Sequence, residues 1–454
     1  MKSYLLLISL VSAMGGLLFG YDWVVIGGAK PFYEAFFGIA ASPAMQGWAM
    51  GSAVLGCIFG VLIAGLLADM CGRKPLMIAA AAMFILSAAG TGAVDGISWF
   101  IFYRLVGGIA IGIVSNLSPM YIAEISPAEK RGMYVSINQL TIVLGILAAQ
   151  LANWAIAEPV AEGDDLLNTW NGQIGWRWMF WAENIPAILF FLFLFLIPES
   201  PRWLAAKGRA EKAGIIMRRI SGSESAEEPY ARQPEKEANN SFRDNMAVLM
   251  RGKMPRLVLI GVVMAAFQQW CGINIIFNYA HEIFTAAGYE VSDLLFNIVI
   301  TGVTNVVFTF AGMYTVDKLG RRVLLLAGAV SLALIYGVVS LCYCFSISGW
   351  PLLLLVLAAI AAYAMTLAPV TWVVISEIFP NRIRGLAMGI STFSLWASCF
   401  LLTYTFPIFN AAMGAAGTFF LYGTICLAGF AFIFKYLPET RKKSLEEIER
   451  EFSR

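Results

Sequence analysis

Runs of twenty or more almost wholly apolar residues recur along the entire chain, and no other feature constrains its fold as strongly. A bilayer's hydrocarbon layer takes about 20 helical residues to cross, and every backbone polar group inside it must bond within the segment. Runs at 4–28, 45–68, 75–95, 98–122, 133–157, 177–197, 256–285, 293–316, 322–347, 350–376, 385–409 and 415–437 predict twelve spanning helices and an all-α membrane protein. The composition agrees: 59% of residues are hydrophobic and only 13% charged, against about 25% charged in a soluble domain. Disorder, collagen, coiled coil and a disulfide scaffold are excluded on the same grounds. The first run is too long for the core of a cleavable signal and is expected to span.

The polar segments between the runs alternate in character. Those at 69–74, 124–131, 198–256, 317–322, 381–384 and 438–454 hold most of the Lys and Arg, whereas 29–44, 158–175, 286–292, 346–350 and 410–414 hold only Lys30. Basic residues collect on the cytoplasmic side, so both termini are expected there, as an even number of crossings requires. A net charge of +2 gives no reason to expect a nucleic-acid partner. The seven cysteines lie mostly in apolar runs without metal or redox spacing, and a single histidine, His281, cannot build a His-rich metal site.

The long charged stretch 199–255 divides the chain into six-span halves, 1–198 and 256–437, followed by a tail at 438–454 that begins a capping-box helix at Ser444. The halves repeat each other. Asp69-Met70-Cys71-Gly72-Arg73-Lys74 recurs as Asp317-Lys318-Leu319-Gly320-Arg321-Arg322, Glu124-Ile125-Ser126-Pro127 with Arg131 as Glu377-Ile378-Phe379-Pro380 with Arg384, and Pro198-Glu199-Ser200 as Pro438-Glu439-Thr440. Parallel six-span repeats are the build of transporters that rock about a midplane site. Asp69, Arg73, Glu124, Arg131, Asp317, Arg321, Glu377 and Arg384 would then form charge networks between cytoplasmic helix ends, a latch that breaks when that side opens.

Two sets of polar residues lie inside the spans. Gln139, Gln268, Gln269, Asn274 and Asn305 are amides where hydrocarbon demands a partner or a wet cavity. An amide offers a donor and an acceptor in one neutral group, which suits a hydroxyl-rich solute. Gln269 and Asn274 are five residues apart, on diverging faces of a straight helix unless Gly272 bends it. Asp22, Arg104 and Glu183 are charges at similar depth in the first half. A dry site favours a neutral acid and a neighbouring guanidinium favours the carboxylate, so a motion that parts the two would let a proton bind and later leave. A static salt bridge is the plain alternative for the same residues.

Arg104-Leu105-Val106-Gly107-Gly108, Pro198-Glu199-Ser200-Pro201-Arg202, the paired Gly-Arg loops and Gln268-Gln269-Trp270-Cys271-Gly272-Ile273-Asn274, in this order, resemble the sugar porter family of the major facilitator superfamily. Ser118-Pro119-Met120-Tyr121-Ile122-Ala123-Glu124 makes the likeness greatest to its bacterial D-xylose–proton symporters. The resemblance implies two pseudo-symmetric six-helix bundles with a sugar site between them. It assigns sugar contacts to Gln139, Gln268, Gln269, Asn274, Asn305 and Trp372, with Phe19 and Trp396 as weaker wall candidates. It also implies that an aspartate at Asp22 marks proton symport. Three positions depart from the xylose pattern: Ile146 and Leu395 stand where an amide is usual, and Asn278 where the first tyrosine of a Tyr-Tyr pair is usual. D-Glucose or another aldose is therefore as open as D-xylose. The expectation is a monomeric, proton-coupled monosaccharide importer of a bacterial cytoplasmic membrane that needs no cofactor or metal and is not an enzyme. A facilitative uniporter and a non-transporting sugar sensor are the alternatives.

Overall fold

The computed structural model describes residues 2–127, 131–160, 165–221, 249, 254–286, 291–379 and 384–437. All the regular elements among them are helical. The spans are α1 (Lys2–Phe37), α2 (Pro43–Cys71), α3 (Arg73–Ala93), α4 (Ile97–Ile125) and α5 (Arg131–Ile156), followed by the pair α6 (Trp176–Trp181) and α7 (Asn184–Leu194). Two short helices follow, α8 (Pro201–Ala206) and α9 (Ala210–Ser221). The seventh span is in three pieces, α10 (Met254–Trp270), α11 (Ile273–Asn278) and α12 (Ala280–Ala286). Then come α13 (Val291–Leu319), α14 (Arg321–Cys344), the pair α15 (Trp350–Met365) and α16 (Leu367–Glu377), and α17 (Arg384–Tyr436). Eleven helical segments among the described residues are long and apolar enough to cross a membrane. The last of them, with 51 residues, is long enough to cross twice, and Gly414, at φ 67° and ψ 176°, interrupts it between the expected eleventh and twelfth spans.

Two expected boundaries need correction. The first span does not end at Gly28: α1 runs on to Phe37, so the polar segment 29–44 shrinks to a turn at residues 38–42. Lys30 and Glu34 allow this because they pair with each other one helical turn apart, at 2.7 Å, which neutralises both charges inside the helix. The expected loop 410–414 is likewise helical apart from Gly414. Most of the linker 199–255, all of the tail after Leu437, and the side chains of Arg131, Asp317, Glu377 and Arg384 lie outside the described residues.

Two compact units account for the packing. One comprises Met1–Ala29, Ser52–Ala157 and Trp170–Asn239; the other comprises Lys30–Gly51, Glu158–Thr169 and Asn240–Arg454. Close backbone approach builds the first unit. Gly56 and Gly60 of α2 face Gly108 and Gly112 of α4, and a Cβ at Gly108 would come within 1.9 Å of the Ala53 carbonyl oxygen. Small residues four apart are the usual means of bringing spans together where lipid offers no hydrophobic drive. In the second unit two spans that carry polar residues are broken, at Gly272 and at Thr366. Discontinuous spans leave main-chain groups that only a protein-lined or wet site can satisfy.

Candidate functional site

In the first unit, α1 and α4 bring Asp22 and Arg104 together. Arg104 Nη1 donates to the Asp22 carboxylate, and Nη2 donates to the Asp22 carbonyl oxygen at 3.2 Å. Both side chains are about 98% or more removed from solvent. Gly107 permits the approach: a Cβ there would stand 2.8 Å from Asp22 Oδ2. That Oδ2 has no hydrogen-bond partner. Arg104 also lies over the Phe180 ring, 5.7 Å from its centroid. Glu183 sits in the turn between α6 and α7, buried and within electrostatic reach of Asp22 and Arg104. It makes no ion pair with Arg104, and its Oε1 has no hydrogen-bond partner. The three expected charges are thus gathered, but only two of them are bonded.

The second unit holds the amides. At Gly272 the chain turns left-handed, φ 86° and ψ −2°, and a Cβ would lie 2.9 Å from the Tyr422 ring. The turn frees carbonyls, and two thiols reach them: Cys271 Sγ donates to the Gln268 oxygen at 3.0 Å and Cys426 Sγ to the Cys271 oxygen at 3.7 Å. The bend removes the angular separation of a straight helix, so Asn274 Nδ2 donates to Gln269 Oε1. Gln269 Nε2 in turn donates to Gln268 Oε1 at 2.7 Å, and Gln268 Nε2 to the Tyr363 hydroxyl at 3.1 Å. Asn274 also approaches Cys399 Sγ, at 3.9 Å. The result is a continuous row of three carboxamides and a phenol, which can trade hydrogen bonds with a polyhydroxylated solute.

Tyr363 was not among the sequence candidates. It stands in a run of alanines three residues before the α15–α16 break at Thr366, and a lone tyrosine there carries no signal of its own. Asn305 is buried in α13 and Trp372 is 37% exposed in α16, but neither joins the row. Gln139, half-buried in α5, belongs to the first unit. Of the wall candidates, Trp396 is buried, whereas Phe19 is half-buried and meets Trp23 edge-on. Of the departures from the xylose pattern, Ile146 and Leu395 are buried apolar residues, and Asn278 is buried with Oδ1 lacking a hydrogen-bond partner.

A third cluster ties helix ends within the first unit. Arg73 grips Glu124 with two bonds, Nη2–Oε1 at 2.9 Å and Nε–Oε2 at 3.1 Å, and reaches Asp69 at 3.1 Å. Glu199, which the sequence motifs contain but the candidate latch does not, accepts from the backbone N–H groups of Arg73, Lys74 and Ser200. It thereby caps the start of α3, whose own first residues supply no side-chain cap. Ser200 donates to Glu124, and Trp203 Nε1 to the Asp69 carbonyl oxygen. In the second half only Arg321 of the four latch candidates has a described side chain, and it is half-buried.

The family model described as sugar (and other) transporter matches residues 8–452. The D-xylose-proton symporter of Escherichia coli is 36% identical, over 99% of this chain and 96% of that protein. The arabinose-proton symporter of Bacillus subtilis is 35% identical, over 98% and 95%. Among solved structures, the xylose transporter XylE from E. coli, in a partially occluded inward-open conformation, superposes with a TM-score of 0.84 at 34% identity, over 97% of this chain and all of that one.

Proposed function

The chain belongs to the sugar transporter family of the major facilitator superfamily, a family of membrane transporters and not of enzymes, and from that premise we propose that it imports a monosaccharide together with a proton. The solute is an aldose, D-xylose, D-glucose or a close relative. The amide row of Gln268, Gln269 and Asn274 binds it in the second half, Gln139 in the first, with Asn305 and Trp372 completing the site. The twelve spans form two six-helix halves that swing about the sugar, in a bacterial cytoplasmic membrane with both termini inside. The protein works as a monomer, and its coupling ion is the proton.

The observation that carries proton coupling is the Asp22–Arg104 pair. One carboxylate oxygen is held by the guanidinium while Oδ2 has no hydrogen-bond partner, so a proton has an atom to bind. Taking the proton cancels the acid's charge and loosens its hold on Arg104; losing it restores the pair. Glu183, buried beside them, carries or tunes the same proton. The Arg73–Glu124–Glu199 cluster ties the ends of α2, α3, α4 and α8, and Asp69, Arg73, Glu124 and Arg131 with Asp317, Arg321, Glu377 and Arg384 act as the latch that breaks when the cytoplasmic side opens.

The test is uptake into proteoliposomes under an imposed gradient of two pH units, alkaline inside. Each unit is worth about 1.4 kcal/mol per proton, so one proton per sugar supports an accumulation of about 100-fold. Asp22→Asn should only equilibrate the sugar while keeping counterflow. Uphill accumulation by Asp22→Asn overturns the proton role.

A further inference from the structure

Lys30 is the one basic residue among the segments expected on the side of the membrane opposite the cytoplasm, yet it is buried within α1 with 2% of its surface exposed. A buried ammonium is costly unless it is paired, and Glu34 pairs it from the next turn. Because both groups ride on one helix, the pair moves as a neutral unit. Its ammonium lies 5.4 Å from the centroid of the Tyr279 ring. Tyr279 is the residue at which the seventh span breaks a second time, between α11 and α12. Its hydroxyl donates to the Thr403 carbonyl oxygen at 2.7 Å, and its ring lies 4.4 Å from that of Phe406.

The helix that follows the Gly272 break needs such a hold. α11 is six residues long, too short to be stable on its own helical bonds, and it carries Asn274 near one end and Asn278 at the other. The start of α2 packs onto the same ground: a Cβ at Gly47 would lie 2.3 Å from the Tyr404 carbonyl oxygen, and Trp48 meets the rings of Phe400 and Tyr404 edge-on. Tyr279 is therefore held both by Lys30 and by the Thr403–Phe406 stretch of α17.

We propose that Lys30, with its charge cancelled by Glu34, is a positioning residue that presses on Tyr279 and fixes the segment Ile273–Asn278 so that Asn274 stays in the amide row. A contact between a self-neutralised cation and an aromatic face can be released without leaving a bare charge in the membrane, so the segment is held and yet free to move. That this segment serves a sugar rests on the function proposed above; the hold itself does not.

Hydrogen–deuterium exchange of the purified full-length protein tests the hold, and D-xylose and D-glucose titrations test its consequence. Lys30→Met, made together with Glu34→Gln so that no carboxylate is left bare in the membrane, keeps the length of the side chain and removes its charge. It should speed exchange across residues 273–286 about tenfold, the loss expected for a desolvated cation–ring contact, and leave α3 and α4 unchanged. The sugar affinity should fall by a similar factor. Lys30→Arg, which retains the cation, should restore both. Tyr279→Leu should reproduce the faster exchange, and adding Lys30→Met with Glu34→Gln to it should change nothing more. Unaltered exchange across 273–286 in Lys30→Met with Glu34→Gln overturns the proposal. If that double variant does not fold, unaltered exchange there in Tyr279→Leu overturns it instead. If the wild type binds neither sugar, the functional reading fails while the exchange comparison still decides the hold.

Discussion

Replacing Gln269 with leucine strikes the amide row at its centre. Two neighbours lose a partner at once: Gln268 Oε1, which accepts at 2.7 Å, and Asn274 Nδ2, which donates to Gln269 Oε1. Gln268 is 4% exposed, so water cannot readily replace the lost bond. A buried polar group left unpaired costs about 1–3 kcal/mol, and Asn274 retains only the weak sulfur contact at 3.9 Å. If one such cost appears in the bound state, together with release of Asn274 from its orientation, sugar affinity falls by about 1–3 kcal/mol, about 5- to 150-fold. The deciding measurement is a pair of double-mutant cycles by titration calorimetry. Gln269→Leu with Asn274→Ala should show a coupling of about 0.5–3 kcal/mol, whereas Gln269→Leu with Ser87→Ala, outside the proposed sugar site, should add within about 0.5 kcal/mol. Additivity in the first cycle would refute the idea that these side chains act as one row.

Other expectations follow from the packing. Gly272→Ala places a Cβ at positive φ and against the Tyr422 ring, costing about 1–2 kcal/mol in backbone terms alone; sugar titration should show weaker binding from a protein that still folds. Arg73→Met leaves Glu124 without its two-pronged partner in a buried setting, a loss of about 3–5 kcal/mol. It should lower the thermal midpoint followed by tryptophan fluorescence, and the further change Glu124→Gln should recover part of the fall. Gly108→Val drives a side chain into the Ala53 carbonyl, so the α2–α4 approach fails, and size-exclusion chromatography should show little monodisperse protein.

Hydropathy made the spans legible because the bilayer reads length and apolarity and little else. It failed at α1, where two charges looked like the start of a loop. Lys30 and Glu34 stand four residues apart, the spacing at which opposite charges neutralise each other on a helix, and that signal was available. The row was partly legible: Gln268, Gln269 and Asn274 announce themselves as amides, and Gly272 as the bend that lets them meet. Tyr363 was not, because only tertiary packing brings residues 95 positions apart into contact. Glu199 lay in a repeated motif, but its role as a cap for α3 appears only once the loop folds back over Gly72.

The amide row also has a polarity. Asn274 gives a hydrogen to Gln269, Gln269 to Gln268, and Gln268 to Tyr363, so the dipoles line up and reinforce one another. Asn274 is left with its carbonyl to offer, and Tyr363, already accepting, with its O–H. Turning any one amide over would set like against like, oxygen against oxygen or N–H against N–H, unless all three turned together. On the proposed function, a sugar hydroxyl that flips one end sends the choice to the other, and sugars that differ at a single stereocentre should meet two distinct settings of the site instead of a graded series.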